Sequence, residues 1–156
     1  MSSPWTKVIE AARKLRAKYH RENQSLQETI RNICHDNNII LDYDIHGEKA
    51  KRKDGRWRII LPLDSSQVRD NFTVAHEFGH IFLGHPCDTN NEVHRSGERN
   101  EREAQANLFA AEFLMPKEEF TQAAREFNND EQKLAKKFEV SQAAALVRLS
   151  ALRLKK

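Results

Sequence analysis

The sequence predicts an α+β domain, mainly helical, with a small sheet of about three strands packed against one motif-bearing helix. Three observations lead there. Apolar residues recur at helical spacing on both sides of one interval, 38–62. That interval is instead rich in β-branched and aromatic residues around an Asp54-Gly55 turn. The length, 156 residues, suits a single core. We therefore expect one domain over 1–156: N-terminal helices over 1–37, the sheet over 38–62, the motif helices over 63–116 and C-terminal helices over 117–156.

Taken in order, residues 4–22 read as a helix with Val8, Ala12, Leu15 and Tyr19 along one face. Lys14, Arg16, Lys18 and Arg21 read as its solvated side rather than as a nucleic-acid or membrane contact. Ser25 and Glu28 form a capping box, and Leu26, Ile30, Ile33 and Cys34 carry a second helix to Asp36. Asn37-Asn38 breaks the pattern, and 39–43 is a first strand. The stretches 49–53 and 56–61 pair as a hairpin across Asp54-Gly55, which supplies the positive φ angles of a tight turn. Trp57, Ile59 and Leu61 give its second strand one well-covered face, and Pro62 ends it.

The cluster Asp64-Ser65-Ser66 caps a helix expected over 67–85, which Pro86 stops. Residues 86–99 read as a polar surface loop in which His94 is solvated. Helices follow over 101–115 and 118–127, the second burying Phe120, Ala124 and Phe127. The tail from Leu134 to Gln142 has a weak helix–turn–helix rhythm, with Ser141 capping a last helix that carries Ala145, Leu146, Leu149 and Leu152. Gln142-Ala143-Ala144-Ala145 offers almost nothing to read a base with, so this pair is expected to pack rather than bind DNA.

Composition narrows the function classes. Against 26 basic residues stand 23 acidic ones, a net charge of +3 that is too small to indicate a nucleic-acid partner. No apolar run approaches a membrane span, and the N-terminus lacks a signal-peptide core. Cys34 and Cys87 form neither a metal-type pair nor a disulfide framework, so a reduced, cytoplasmic setting is expected.

The chemistry concentrates in His76-Glu77-Phe78-Gly79-His80, an HExxH pattern on the 67–85 helix. Residues four apart share a helical face, so both imidazoles can reach one ion, with Glu77 beside them. Val74, Phe78, Ile81 and Phe82 fall on the opposite, core-seeking side. The arrangement suits a catalytic zinc site in which Glu77 takes a proton from a metal-activated water. A third ligand follows from the 101–115 helix. With Glu103 at 0°, Asn107 lies near 40°, Leu114 near 20°, Ala110 near 340° and Ala106 near 300°, whereas Glu101, Gln105 and Glu112 cluster on the far side at about 160° to 200°. Small residues beside Glu103 allow close approach to another helix, so geometry selects Glu103.

These segments resemble the ImmA/IrrE metallopeptidases. The likeness rests on Phe72 to His80, on Glu103 to Pro116 and, more weakly, on Leu134 to Ser141 with Arg148-Leu149. It implies a zincin-like domain of the gluzincin kind, with His76, His80 and Glu103 as metal ligands and Glu77 as general base. Asn107 stands where related peptidases often carry an acidic residue that orients a ligand imidazole. The metzincin layout wants Gly at 83 and His at 86; the chain has Leu83 and Pro86, which leaves His85 one residue out of register as a ligand. The family's members cleave helix–turn–helix repressors inside the cell, which implies such a protein substrate and no membrane partner. The ligand set accepts Zn2+ or Mn2+. His46, Tyr43 and His94 are candidate oxyanion donors without a spacing argument, and a substrate strand could add to 56–61. The competing reading is a DNA-binding or toxin–antitoxin-type regulator whose metal is structural or secondary.

Overall fold

The computed structural model describes residues 3–45, 49–53, 55–85 and 96–154. Helix α1 (Pro4–Tyr19) starts at Ser3, whose side chain accepts from Thr6 N–H, with Pro4 preset for the first turn. Helix α2 (Leu26–Asp36) starts at Ser25, which accepts from Glu28 N–H. Their apolar stripes, Val8, Ala12 and Leu15 on one and Leu26, Ile30 and Ile33 on the other, enter the common core.

Strands β1 (Ile39–Asp44), β2 (Lys49–Lys53) and β3 (Arg56–Pro62) form one sheet in the order β1-β3-β2. The hairpin partners β2 and β3 are antiparallel, with Ala50 opposite Ile59. Gly55 at φ +77° serves the turn, while Asp54 lies outside the described residues. Strand β1 joins the other edge of β3 in parallel, with Leu41 opposite Ile59. Ile59, Ile60 and Leu61 are consequently all buried, whereas simple alternation expected one covered face. This central position corrects the strand-addition expectation. Both edges of 56–61 are already hydrogen-bonded, so no substrate strand can join there.

Helix α3 (Gln67–Phe82) is capped by Ser66, which accepts from Arg69 N–H, and lies against β3. It ends three residues before His85, at Phe82. Helix α4 (Ser96–Leu114) begins five residues earlier than Glu101, because Gly97, read as a loop marker, is accommodated inside its first turn. Helices α5 (Lys117–Glu126), α6 (Glu131–Phe138) and α7 (Gln142–Ala151) complete the chain. The α6–α7 corner turns at Glu139, in the left-handed region at φ +58°, and Ser141 caps α7 by accepting from Ala144 N–H.

Two buried polar clusters lock the helices that matter for the site. Asn71 of α3 accepts from Gln27 and Gln67 and donates to the Glu139 carbonyl, tying the motif helix to α2 and to the α6–α7 corner. Glu112 of α4 accepts from Arg148 at 2.7 Å, from Arg13 at 3.2 Å and from Lys117 N–H. Arg148 also donates to the Met115 carbonyl, so α7 and α1 are clamped to the back of α4. Within α7, Ala145 and Leu149 are buried, while Leu146 is exposed with Val147.

Candidate metal centre

The site exists because α3 and α4 lie unusually close. A Cβ placed on Gly79 would stand 3.0 Å from Ala106 Cα and 3.1 Å from the Ala106 carbonyl oxygen. Any side chain at 79 would have to press the α4 backbone back by a few tenths of an ångström, and Ala106 and Ala110 are fully buried in the seam. One turn from this contact, the side chains of His76, His80 and Glu103 meet across the two helices.

Their donor atoms converge. Nε2 of His76 and Oε1 of Glu103 are 3.1 Å apart, Nε2 of His80 and Oε2 of Glu103 2.9 Å, and the two Nε2 atoms 3.2 Å. Ligand atoms about 2.0–2.1 Å from a tetrahedral zinc stand about 3.3 Å from one another; the two imidazole nitrogens have that spacing, and each stands about as far from one oxygen of the Glu103 carboxylate, Oε1 for His76 and Oε2 for His80. Among the described residues, these three form the group able to hold a metal ion. Glu77, buried and adjacent to His76 in the chain, belongs to the same stretch of α3.

The outer edges of both imidazoles are also engaged. Nδ1 of His76 is 2.8 Å from Oδ1 of Asn107, one turn beyond Glu103. An amide oxygen accepts only, so Nδ1 carries the proton and Nε2 turns its lone pair inward. His80 is held neutral, its pKa pushed down to about 4, first by burial and then by the neighbouring His76, with Glu103 opposing. A neutral imidazole at pH 7 is what a metal requires of a ligand.

A scan against protein families matches the peptidase M78 model, described as the IrrE N-terminal-like domain, over residues 34–150. The chain belongs to this family. The M78 family is the ImmA/IrrE group, and it points to a peptidase. The search of curated proteins returns no match. Among solved structures, a Mycobacterium tuberculosis transcriptional regulator is similar at a TM-score of 0.74 and 18% identity, over 93% of this chain and 46% of that one. The chain thus spans about half of that regulator's length, and at this identity the likeness speaks for the fold alone. No described helix is long and apolar enough to cross a membrane.

Other expected residues lie elsewhere. Tyr43 is exposed on β1 and lines a hollow with Cys34, Leu61 and Val74 rather than joining the histidines. His46, His94 and Cys87 fall outside the described residues. A groove of about 870 Å³ between α1, α5 and α6 is lined by none of His76, His80 and Glu103. Its arginines are already engaged, Arg13 with Glu112 and Glu118, and Arg16 with Glu119 and the Phe113 carbonyl. Sequence reasoning missed two residues at the site's edge. His85 stands with Nδ1 2.8 Å from Nδ1 of His80, and Gln105, read as facing away, reaches His85 Nε2 at 2.8 Å. The signal for His85 was Gly84, a helix-ending glycine immediately before it.

Proposed function

We propose that this chain is a metal-dependent endopeptidase in which His76, His80 and Glu103 hold Zn2+, or Mn2+ in its place, and Glu77 is the general base. One observation carries the reading: two Nε2 atoms and a carboxylate converge with shell-like spacing in a chain of a peptidase family. Three donors leave room for substrate, whereas a structural zinc normally has four protein ligands, usually with cysteine among them. Cys34, buried in the core cluster, does not approach the group.

When bound, the metal supplies Lewis acidity toward a water and toward the scissile carbonyl. The chain's residues do the rest. His76 and Asn107 keep one lone pair aimed at the centre. Glu103 contributes negative charge that offsets part of the ion's. Glu77 takes a proton from the attacking water and delivers it to the leaving amine, so one water is consumed and a carboxylate and an amine are released.

The substrate we propose is a regulatory protein, a helix–turn–helix repressor, in line with the family's habits. Direct DNA binding is not part of the reading. Arg148, the basic residue of α7, is buried on Glu112, and the exposed face of α7 presents Gln142, Ala143, Leu146, Val147 and Ser150, with no basic residue among them. The test is incubation of the zinc-loaded protein with the repressor encoded beside its gene. Cleavage by the natural sequence and none by Glu77→Gln is expected. Equal cleavage by both removes Glu77 from the mechanism, and cleavage by neither removes this substrate.

A further inference from the structure

We infer that His85, with Gln105 behind it, is a positioning residue that fixes the ring orientation and tautomer of His80. The inference rests on the metal-site reading above and deepens it.

The backbone explains why His85 is there at all. After Phe82 the chain does not run on as helix. Gly84 takes φ +73°, its N–H donates to the Ile81 carbonyl at 3.2 Å, and His85 N–H donates to the His80 carbonyl at 3.0 Å. These two bonds define a Schellman cap, in which the residue after the left-handed glycine folds back over the residue five positions earlier. In most such caps that pair makes an apolar contact. Here the pair is His85 and His80, and the contact is a nitrogen–nitrogen hydrogen bond of 2.8 Å. The helix ending thus delivers an imidazole to the outer edge of an imidazole.

Proton accounting gives the bond its direction. Gln105 Oε1, 2.8 Å from His85 Nε2, accepts only, so His85 carries its proton on Nε2 and presents a bare Nδ1. That atom then accepts from His80 Nδ1–H, and His80 is left with its Nε2 lone pair facing His76 and Glu103. His76 reaches the same state by the shorter route through Asn107. The amide of Gln105 can also turn, offering N–H to His85; the relay then reverses and leaves a proton on His80 Nε2, where it competes with the metal. A carboxylate at 105 would forbid that reversal, and an aliphatic side chain would favour neither direction. Partners of this kind typically change metal affinity 10–100-fold when removed.

The experiment measures apparent zinc affinity by competition with a chromophoric chelator, at pH 7, on proteins whose melting curves match the natural one. The variants are His85→Ala, Gln105→Leu, Gln105→Glu and, as reference, Glu103→Ala. We expect zinc binding about 10–100-fold weaker in His85→Ala, weaker by a smaller factor in Gln105→Leu, and as tight or tighter in Gln105→Glu. Nitrogen NMR of the zinc-free protein should show His85 as the Nε2–H tautomer, with a mixture appearing in Gln105→Leu. If Glu103→Ala loses zinc while the His85 and Gln105 variants bind like the natural protein, the positioning role is overturned and the metal site stands. If Glu103→Ala also binds normally, the metal-site reading itself fails. Should His85→Ala not fold, the opposed Gln105→Leu and Gln105→Glu effects decide the matter.

Discussion

Two glutamates on α4, nine positions apart, have opposite surroundings. Glu112 is buried, its side chain 3% exposed, and it is saturated by Arg148, Arg13 and a backbone N–H. Glu103 is about half exposed, and the partners it meets are two imidazoles, one of them held neutral. Glu112 has its countercharge written into the chain. On the proposed reading, Glu103 faces imidazole lone pairs, and its charge is directed at a bound cation. The same side chain is therefore structural on one face of the helix and open to chemistry on the other. Burial distinguishes the two less well than the identity of the partner does.

The largest expected effect breaks the structural half of that contrast. Glu112→Ala leaves Arg148 buried without its partner and should cost about 3–5 kcal/mol in a denaturant titration. Glu103→Ala should leave stability within about 1 kcal/mol while abolishing metal binding, because its side chain is about half exposed. If the two variants destabilise the protein alike, the distinction falls.

Next comes the spacing between the helices. Gly79→Ala presses a methyl against the Ala106 backbone, which has to give by a few tenths of an ångström, and the expected outcome is that Glu103 shifts relative to the histidines. A loss of about 1–3 kcal/mol is expected from overpacking, together with weakened zinc binding. Unchanged binding would mean that the close approach does not set the site. Gly84→Ala is milder. Its Cβ meets nothing, so only the left-handed backbone is penalised, at about 1 kcal/mol, seen as a small drop in melting temperature.

The smallest effect is a negative one. Burial pushes the Cys34 thiol up to about 12. Folded protein at pH 8 should therefore leave Cys34 unreacted by a thiol reagent on the time scale that modifies it in denaturant. Because the folded pKa is raised above the unfolded value of 9.0, the folded state holds the proton longer. Stability from this group is intact below pH 9 and declines as pH rises from there toward 12. Rapid modification at pH 8 in the folded state would show that the α2 face of the core opens readily.

Much of this was legible in the sequence because it is local. Ser25, Ser66 and Ser141 cap the helices whose starts they mark, and the angular placement of Glu103 beside Ala106 and Ala110 follows from helical period alone. What escaped depends on partners distant in the chain. The alternation in 56–61 gives a strand but not its neighbours, so the parallel pairing with β1, and with it the closing of both edges, was invisible. Gln105 sits about 200° from Glu103 on the wheel, yet a long side chain and a folded-back His85 bring it to the site's edge. Glu112 could be placed on the far face, but whether that face met water or Arg148 depended on a helix 36 residues away.

The central claim is that His76, His80 and Glu103 together hold one divalent ion. Native mass spectrometry after zinc loading and desalting tests it most directly. One zinc per chain in the natural sequence, and none in Glu103→Ala under the same conditions, is the expected result. Equal zinc in both, or none in either, would contradict it.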